Sequence, residues 1–320
     1  MKLIEPAISL SLKNILLATD LTPASETALQ YARALAKKHG SQLHAIHVGG
    51  EYSYQLLEPE PLDITFRELP DASQHPTDAL RKLFQGLPTQ VPLRHGAIWE
   101  LIREVISRRE IDLVVLGTHG RKGLDRMLFG SIAEDVLRNV ACPVLTVGPD
   151  VKFEDVQELK IARILLATDF DAHSSAPAYA AWLANDFQAA LTVVHAVHDK
   201  IQEQIKAVNP EELNEYAHPD IPPARHWQPE LPTEKQFASL FAEGNQPRSK
   251  PQFMVEFGLP ADAILGAAAK VRPDLIVLGA RHPEPARLNS HLLWPTAAKV
   301  IADAPCPVLT VGPQQNWVNE

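Results

Sequence analysis

Cys142-Pro-Val-Leu-Thr-Val-Gly-Pro149 returns letter for letter as Cys306-Pro-Val-Leu-Thr-Val-Gly-Pro313. Outward from that octapeptide, further blocks repeat in the same order. Ile15-Leu-Leu-Ala-Thr-Asp20 returns as Ile164-Leu-Leu-Ala-Thr-Asp169, and Asp112-Leu-Val-Val-Leu-Gly117 as Asp274-Leu-Ile-Val-Leu-Gly279. His47 and His195 each sit near the end of an apolar run, and Gly96 and Gly258 each precede a helical pattern. The separations are 149 residues (15 to 164), 148 (47 to 195), 162 (112 to 274) and 164 (142 to 306). Ordered matches at nearly constant offsets mean a duplication. Two copies are too few for a solenoid, and each is long enough to bury a core of its own. The chain reads as two domains, 1–149 and 161–320, joined by the charged stretch 150–160.

Within the first copy, strand and helix alternate. Ile15–Ala18 is a short apolar run of the kind buried in a parallel sheet, with Asp20 just beyond it. Thr22-Pro23 suits a helix start, Ala28, Leu29, Ala32, Leu35 and Ala36 follow at helical spacing, and Gly40 stops the helix. Leu43–Val48 reads as the second strand and residues 49–75 as irregular. Thr77–Gly86 reads as a helix, Val91–Leu93 as a third strand and Trp99–Arg109 as a helix. Leu113–Leu116, Ile132–Val140 and Pro143–Val147 complete the set as strand, helix and strand. The order predicts an α/β fold: two tandem doubly wound domains, each a five-stranded parallel sheet covered on both faces. Ligands on such sheets bind beyond the C-terminal strand ends, where Asp20, Val48 and Gly117 fall. The second copy repeats the plan with a proline-rich insertion at about 198–251, in which Ile201–Val208 and Lys235–Glu243 suit short helices.

The first copy alone carries the spacing G-x2-G-x9-G-S, at Gly117, Gly120, Gly130 and Ser131. A glycine ending a strand lets a ligand approach the backbone. Gly130-Ser131 opens a helix whose first amides lack partners and attract phosphate. Arg121, Lys122 and Arg126 in the loop add positive charge. A purely architectural reading competes: Ser131 and Glu134 form a capping box, and the glycines serve as turn residues. In the second copy His282 stands where the second glycine was, and Trp294-Pro295 where Gly130-Ser131 was, aligned to within two residues. Proline has no amide hydrogen, so this copy is expected not to hold a triphosphate in the same way.

On the strand-ending Asp20, His47-Val48, Gly117-Thr-His-Gly120-Arg121, Gly130-Ser131 and the closing Cys-Pro-Val-Leu-Thr-Val, the chain resembles the universal stress protein family in its tandem form. The resemblance spans nearly the whole chain. It implies a first-domain ATP site, with or without Mg²⁺. Adenine and ribose would lie near Ala18, Asp20 and Val48, and phosphates near Gly117, Gly120, Gly130 and Ser131. His119, Arg121 and Ile132 belong to the same loop and helix start. It implies a stress-response or regulatory role. It also implies pairing of domains through their last strands, internally in a tandem chain, with further homodimerisation open.

Composition narrows the classes. A formal charge of −9 argues against a general nucleic-acid or anionic-membrane binder. No apolar run approaches the ~18 residues of a membrane span, and Glu5 and Pro6 make a poor leader, so a cytoplasmic protein is expected. Cys142 and Cys306 occupy equivalent strand entrances and read as small buried hydrophobes. His195, His198, His218 and His226 invite a metal reading, but no cysteine accompanies them. Hydrolase and metalloprotease motifs are missing, leaving a slow ATP hydrolase and a small-molecule carrier with a second-domain cavity near Arg281 and His282 as the alternatives.

Overall fold

The computed structural model describes residues 10–19, 23–49, 53–57, 98–118, 133, 136–137, 140, 142–153, 159–171, 173–197, 231–241, 246–279 and 293–312. The first copy contributes β1 (Asn14–Thr19), α1 (Pro23–His39), β2 (Gln42–Gly49), β3 (Ser53–Leu57), α2 (Ile98–Arg108), β4 (Leu113–Gly117) and β5 (Val144–Val147). The second contributes β6 (Arg163–Thr168), α3 (Ala176–Phe187), β7 (Ala190–Val197), α4 (Glu234–Ala238), β8 (Gln252–Phe257), α5 (Pro260–Val271), β9 (Leu275–Gly279), α6 (Leu293–Asp303) and β10 (Val308–Val311).

These strands form one ten-stranded sheet in the order β3-β2-β1-β4-β5-β10-β9-β6-β7-β8. Within each copy the strands built from repeated blocks run parallel: β1 beside β2 and β4, β6 beside β7 and β9. The copies meet where β5 and β10 run antiparallel, Leu145 facing Leu309. Thr146 Oγ1 donates to the Val308 carbonyl at 3.0 Å, and Thr310 Oγ1 donates to the Val144 carbonyl at 3.2 Å. The repeated octapeptide therefore pairs with itself about a local two-fold. Because the seam is antiparallel, the C-terminal strand ends of the two copies lie on opposite edges of the sheet.

Two cores sandwich the sheet, and alternation along each strand decides which side chain enters which. Ile15 and Leu17 of β1 pack with α1, α3 and Phe237 of α4 on one face. Leu16 and Ala18 pack with α2, α5, α6 and the helical residues Ala133, Val136 and Leu137 on the other. Both cores run across the seam. On the first face Tyr31 meets Phe153 edge-on at 5.1 Å, His39 stacks on Trp182 at 5.5 Å, and Lys38 lies 4.6 Å over the Phe187 ring.

The repeated aspartates act as straps. Asp112 Oδ2 accepts the Lys13 and Asn14 amides at 2.6 and 2.8 Å, and Asp274 Oδ2 accepts those of Ala162 and Arg163, both at 2.9 Å. Each ties the loop before one central strand to the start of its neighbour, at the edge away from the expected ligand.

One reading is corrected. Residues 53–57, taken as irregular, form β3, which pairs antiparallel with the outer edge of β2. The helix at Thr77–Gly86, the strand at Val91–Leu93 and the helix at Ile201–Val208 lie outside the described residues.

Candidate functional site

Parallel register brings the first-copy candidates to one edge. Ala18 faces Ile46 and Leu116 in register, Thr19 faces His47, and Gly117 faces Val147. Val48 lies one residue beyond His47 on β2, its backbone opposite Tyr54. Ala18, Val48 and Gly117 thus stand together at the C-terminal ends of β1, β2 and β4. Ala18 is buried. Thr19 Oγ1 and Ser25 Oγ are 2.9 Å apart, both buried, which fastens the start of α1 to the end of β1. Beyond Gly117, the Thr118 amide reaches the Val147 carbonyl at 3.1 Å, so the loop departs from a held position. Asp20, His119, Gly120, Arg121, Gly130, Ser131 and Ile132 lie outside the described residues.

The second copy carries a cavity at the C-terminal ends of its strands. It is open and lies over the ends of β6, β7 and β9, between the N-terminal parts of α3, α5 and α6. Its inner wall is aliphatic, formed by Ala167, Val194, Ile264, Leu278 and Ala297. Its rim carries Asp169, Asp171, His173, His195 and Thr296. Ala167, Asp169, Ala196 and Gly279 are the counterparts of Ala18, Asp20, Val48 and Gly117, and all four line it. Arg281 and His282, expected beside it, lie outside the described residues.

The rim is built from nested side-chain turns. Thr168 Oγ1 accepts the Phe170 amide at 3.0 Å, Asp169 Oδ1 accepts that of Asp171 at 3.2 Å, and Asp171 Oδ1 accepts that of His173 at 3.1 Å. Short polar side chains that bond the backbone two residues on hold such a turn without a sheet. Phe170 takes a left-handed backbone, φ 60°, which turns the chain sharply after Asp169. His195 Nδ1 donates to the Thr168 carbonyl at 2.8 Å, which fixes the ring and leaves Nε2 as an acceptor in the neutral form. Behind it the Phe170 ring lies 4.8 Å from His195 and 5.1 Å from Phe237, and Phe237 stacks on Phe253 at 4.7 Å.

Sequence reasoning missed Ser174. It sits 149 residues after Ser25, the offset of the first repeated block. A Cβ placed on Gly279 would come 2.7 Å from Ser174 Oγ, so any larger residue would push that hydroxyl aside. Ser174 Oγ in turn accepts the Ala176 amide at 3.3 Å at the start of α3. The repeated serine was the available signal.

Cys142 and Cys306 are free thiols, each pushed up to about 12 chiefly by burial, which keeps them protonated and unreactive at neutral pH. Among the described residues no three His, Cys, Asp or Glu side chains converge as metal ligands, and no helix is long and apolar enough to cross a membrane.

The universal stress protein family model matches twice, at residues 11–148 and 160–312. The chain belongs to the universal stress protein family. Among curated relatives, "Universal stress protein MJ0531" of Methanocaldococcus jannaschii is 30% identical over 138 residues, covering 42% of this chain and 81% of that one. Among solved structures, a universal stress protein from Archaeoglobus fulgidus aligns over 95% of this chain and 98% of its own, with 19% identity and a TM-score of 0.57. That likeness extends the shared fold across both copies. A universal stress protein solved in complex with cAMP matches 49% of this chain and 100% of its own, at 20% identity and a TM-score of 0.31.

Proposed function

We propose that the first copy binds ATP at the C-terminal ends of β1, β2 and β4, and that nucleotide occupancy governs a regulatory role in stress response. The observation that carries this reading is the convergence of Ala18, Val48 and Gly117 on one edge, with G-x2-G-x9-G-S running on directly from β4. Ala133, Val136 and Leu137, which follow Gly130-Ser131 closely in sequence, are helical and packed on the core. Phosphate at such a helix start is stabilised by unpaired amides and the aligned backbone dipoles. Asp20 suits the ribose hydroxyls, and Mg²⁺ would accompany the phosphates without a dedicated protein cage. The domains carrying this division are 1–149 and 161–320, the second with a degenerate phosphate motif.

Calorimetric titration of the full chain with ATP tests it. One site per chain is expected, and Gly130→Val should weaken it at least tenfold by filling the phosphate position. Two equivalent sites, or a Gly130→Val chain that binds ATP normally, would overturn the assignment. Regulation requires no turnover: sustained phosphate release that disappears with Gly130→Val would replace this reading with an ATP hydrolase. Native mass spectrometry with and without ATP reads the subunit number and so checks whether occupancy changes homodimerisation.

A further inference from the structure

We propose that the last turns of α1 and α3 form a proton-operated clasp between the two copies, in which protonation of His39 swings the end of α1 off Trp182.

The clasp begins in the sequence. At the 149-residue offset of the first repeated block, Arg33, Lys37 and Lys38 of α1 correspond to Trp182, Asp186 and Phe187 of α3. One copy therefore ends this helix in cations, and the other in an acid beside aromatic rings. Over the antiparallel seam the two ends meet. Lys38 lies 4.6 Å over the ring of Phe187, its own counterpart. Its Nζ donates to the Asp186 carbonyl at 3.4 Å and lies 3.4 Å from Asp186 Oδ2. Had the copies stayed alike, Lys38 would face a second lysine there and be repelled.

His39 belongs to this contact without being satisfied by it. Its ring stacks on Trp182, 5.5 Å between centroids, and its side chain is 12% exposed. Its Nε2 stops 3.6 Å short of Asp186 Oδ2, and among the described residues neither atom has a hydrogen-bond partner. The charges that act on the ring are Asp186 from α3 and Lys38 from α1. Burial disfavours the charged ring most. Asp186 opposes this, as does the carbonyl end of α1, and Lys38 reinforces it; the net result is a lowered proton affinity.

A proton on His39 thus adds a second cation beside one carboxylate that Lys38 already holds. Water solvates that cation better than the cleft does, and the ring reaches water when the last turn of α1 leaves Trp182. The open clasp binds the proton more tightly than the closed one, so opening grows as the pH falls through the ordinary histidine value of about 6.5. Helix ends open at far lower cost than a central sheet, so the movement stays local.

Acrylamide quenching of Trp182 reads the clasp in the full chain, taken as the difference between wild type and Trp182→Phe so that the other tryptophans cancel. Between a pH of about 8 and one of about 5.5, on either side of the ordinary histidine value, the quenching constant should at least double while far-ultraviolet circular dichroism stays unchanged. His39→Gln should abolish the response. Asp186→Asn removes the group that favours the charged ring in place and should enlarge the response. Lys38→Met removes the opposing charge and should shrink it. A folding defect has no reason to give these two opposite signs. No response in wild type, a His39→Gln chain that responds like wild type, changes of the same sign in the two charge variants, or a loss of secondary structure over the same pH range would each overturn the proposal.

Discussion

Asp112 and Asp274 have the same task in their two copies, and that task can be measured. Each carboxylate accepts two backbone amides across a strand boundary. Removing the acceptor hands two exposed amides back to water, so Asp274→Ala should destabilise the chain by about 1 kcal/mol, read by urea denaturation. His39 gives a pH signature. Burial lowers its proton affinity, the Asp186 carboxylate opposes that, and Lys38 adds to it. The His39 Nε2 to Asp186 Oδ2 distance is 3.6 Å, too long for a hydrogen bond. The unfolded chain therefore binds this proton more readily, near the ordinary histidine value of about 6.5. Stability should be undiminished above that pH and fall as the pH drops below it. His39→Gln should flatten the fall, and equal pH slopes for both proteins would contradict this. At this scale the sequence was legible where a residue's role is local. Gly40 ends α1 at φ 65°, as its glycine suggests. The contact between Gly279 and Ser174 was not legible, because the two come from different loops.

Among the elements, α4 shows how far pattern carries. Thr233 and Gln236 form a capping box, and the Thr233 Oγ1 accepts the Gln236 amide at 3.3 Å. Sequence pattern alone, without that cap, puts a short helix at 235–243 inside the proline-rich insertion; the structure places it at Glu234–Ala238. What the pattern did not reveal is that Phe237 is 2% exposed, wedged between Phe170 and Phe253 behind the cavity rim. Phe237→Ala should cost about 3 kcal/mol and raise hydrogen exchange in α4 and in the turn around Phe170. Thr233→Ala, which removes only the cap, should cost about 1 kcal/mol. Exchange that rises in α4 alone would show that the wedge does not support the rim. β3 was illegible for a different reason. Ser53-Tyr-Gln-Leu-Leu57 is short and follows Glu51-Tyr52, and it becomes a strand by completing the open edge of β2, a partner that local sequence does not reveal.

The whole molecule was largely legible because it is a duplication: each repeated apolar block became a central strand, and the parallel order within copies follows from their alternation with helices. The joining of both half-sheets was not legible in the octapeptide, which marks only the duplication; the structure shows it pairing with its own copy. Leu145 and Leu309 at that seam are both buried in a core shared by α1 and α3. The intact chain should therefore melt in one calorimetric transition. Expressed alone, residues 1–158 or 159–320 would bare that strand edge and the apolar surface beside it. Each should self-associate in light scattering, and a soluble monomeric half would show that the seam is dispensable. The seam's antiparallel sense has one more effect. With strands about 20 Å long, the C-terminal strand ends of the two copies are held back to back on opposite edges of the sheet. Anything that docks on one edge therefore leaves the opposite edge uncovered, and the two halves of this chain present their loops to different sides of the molecule.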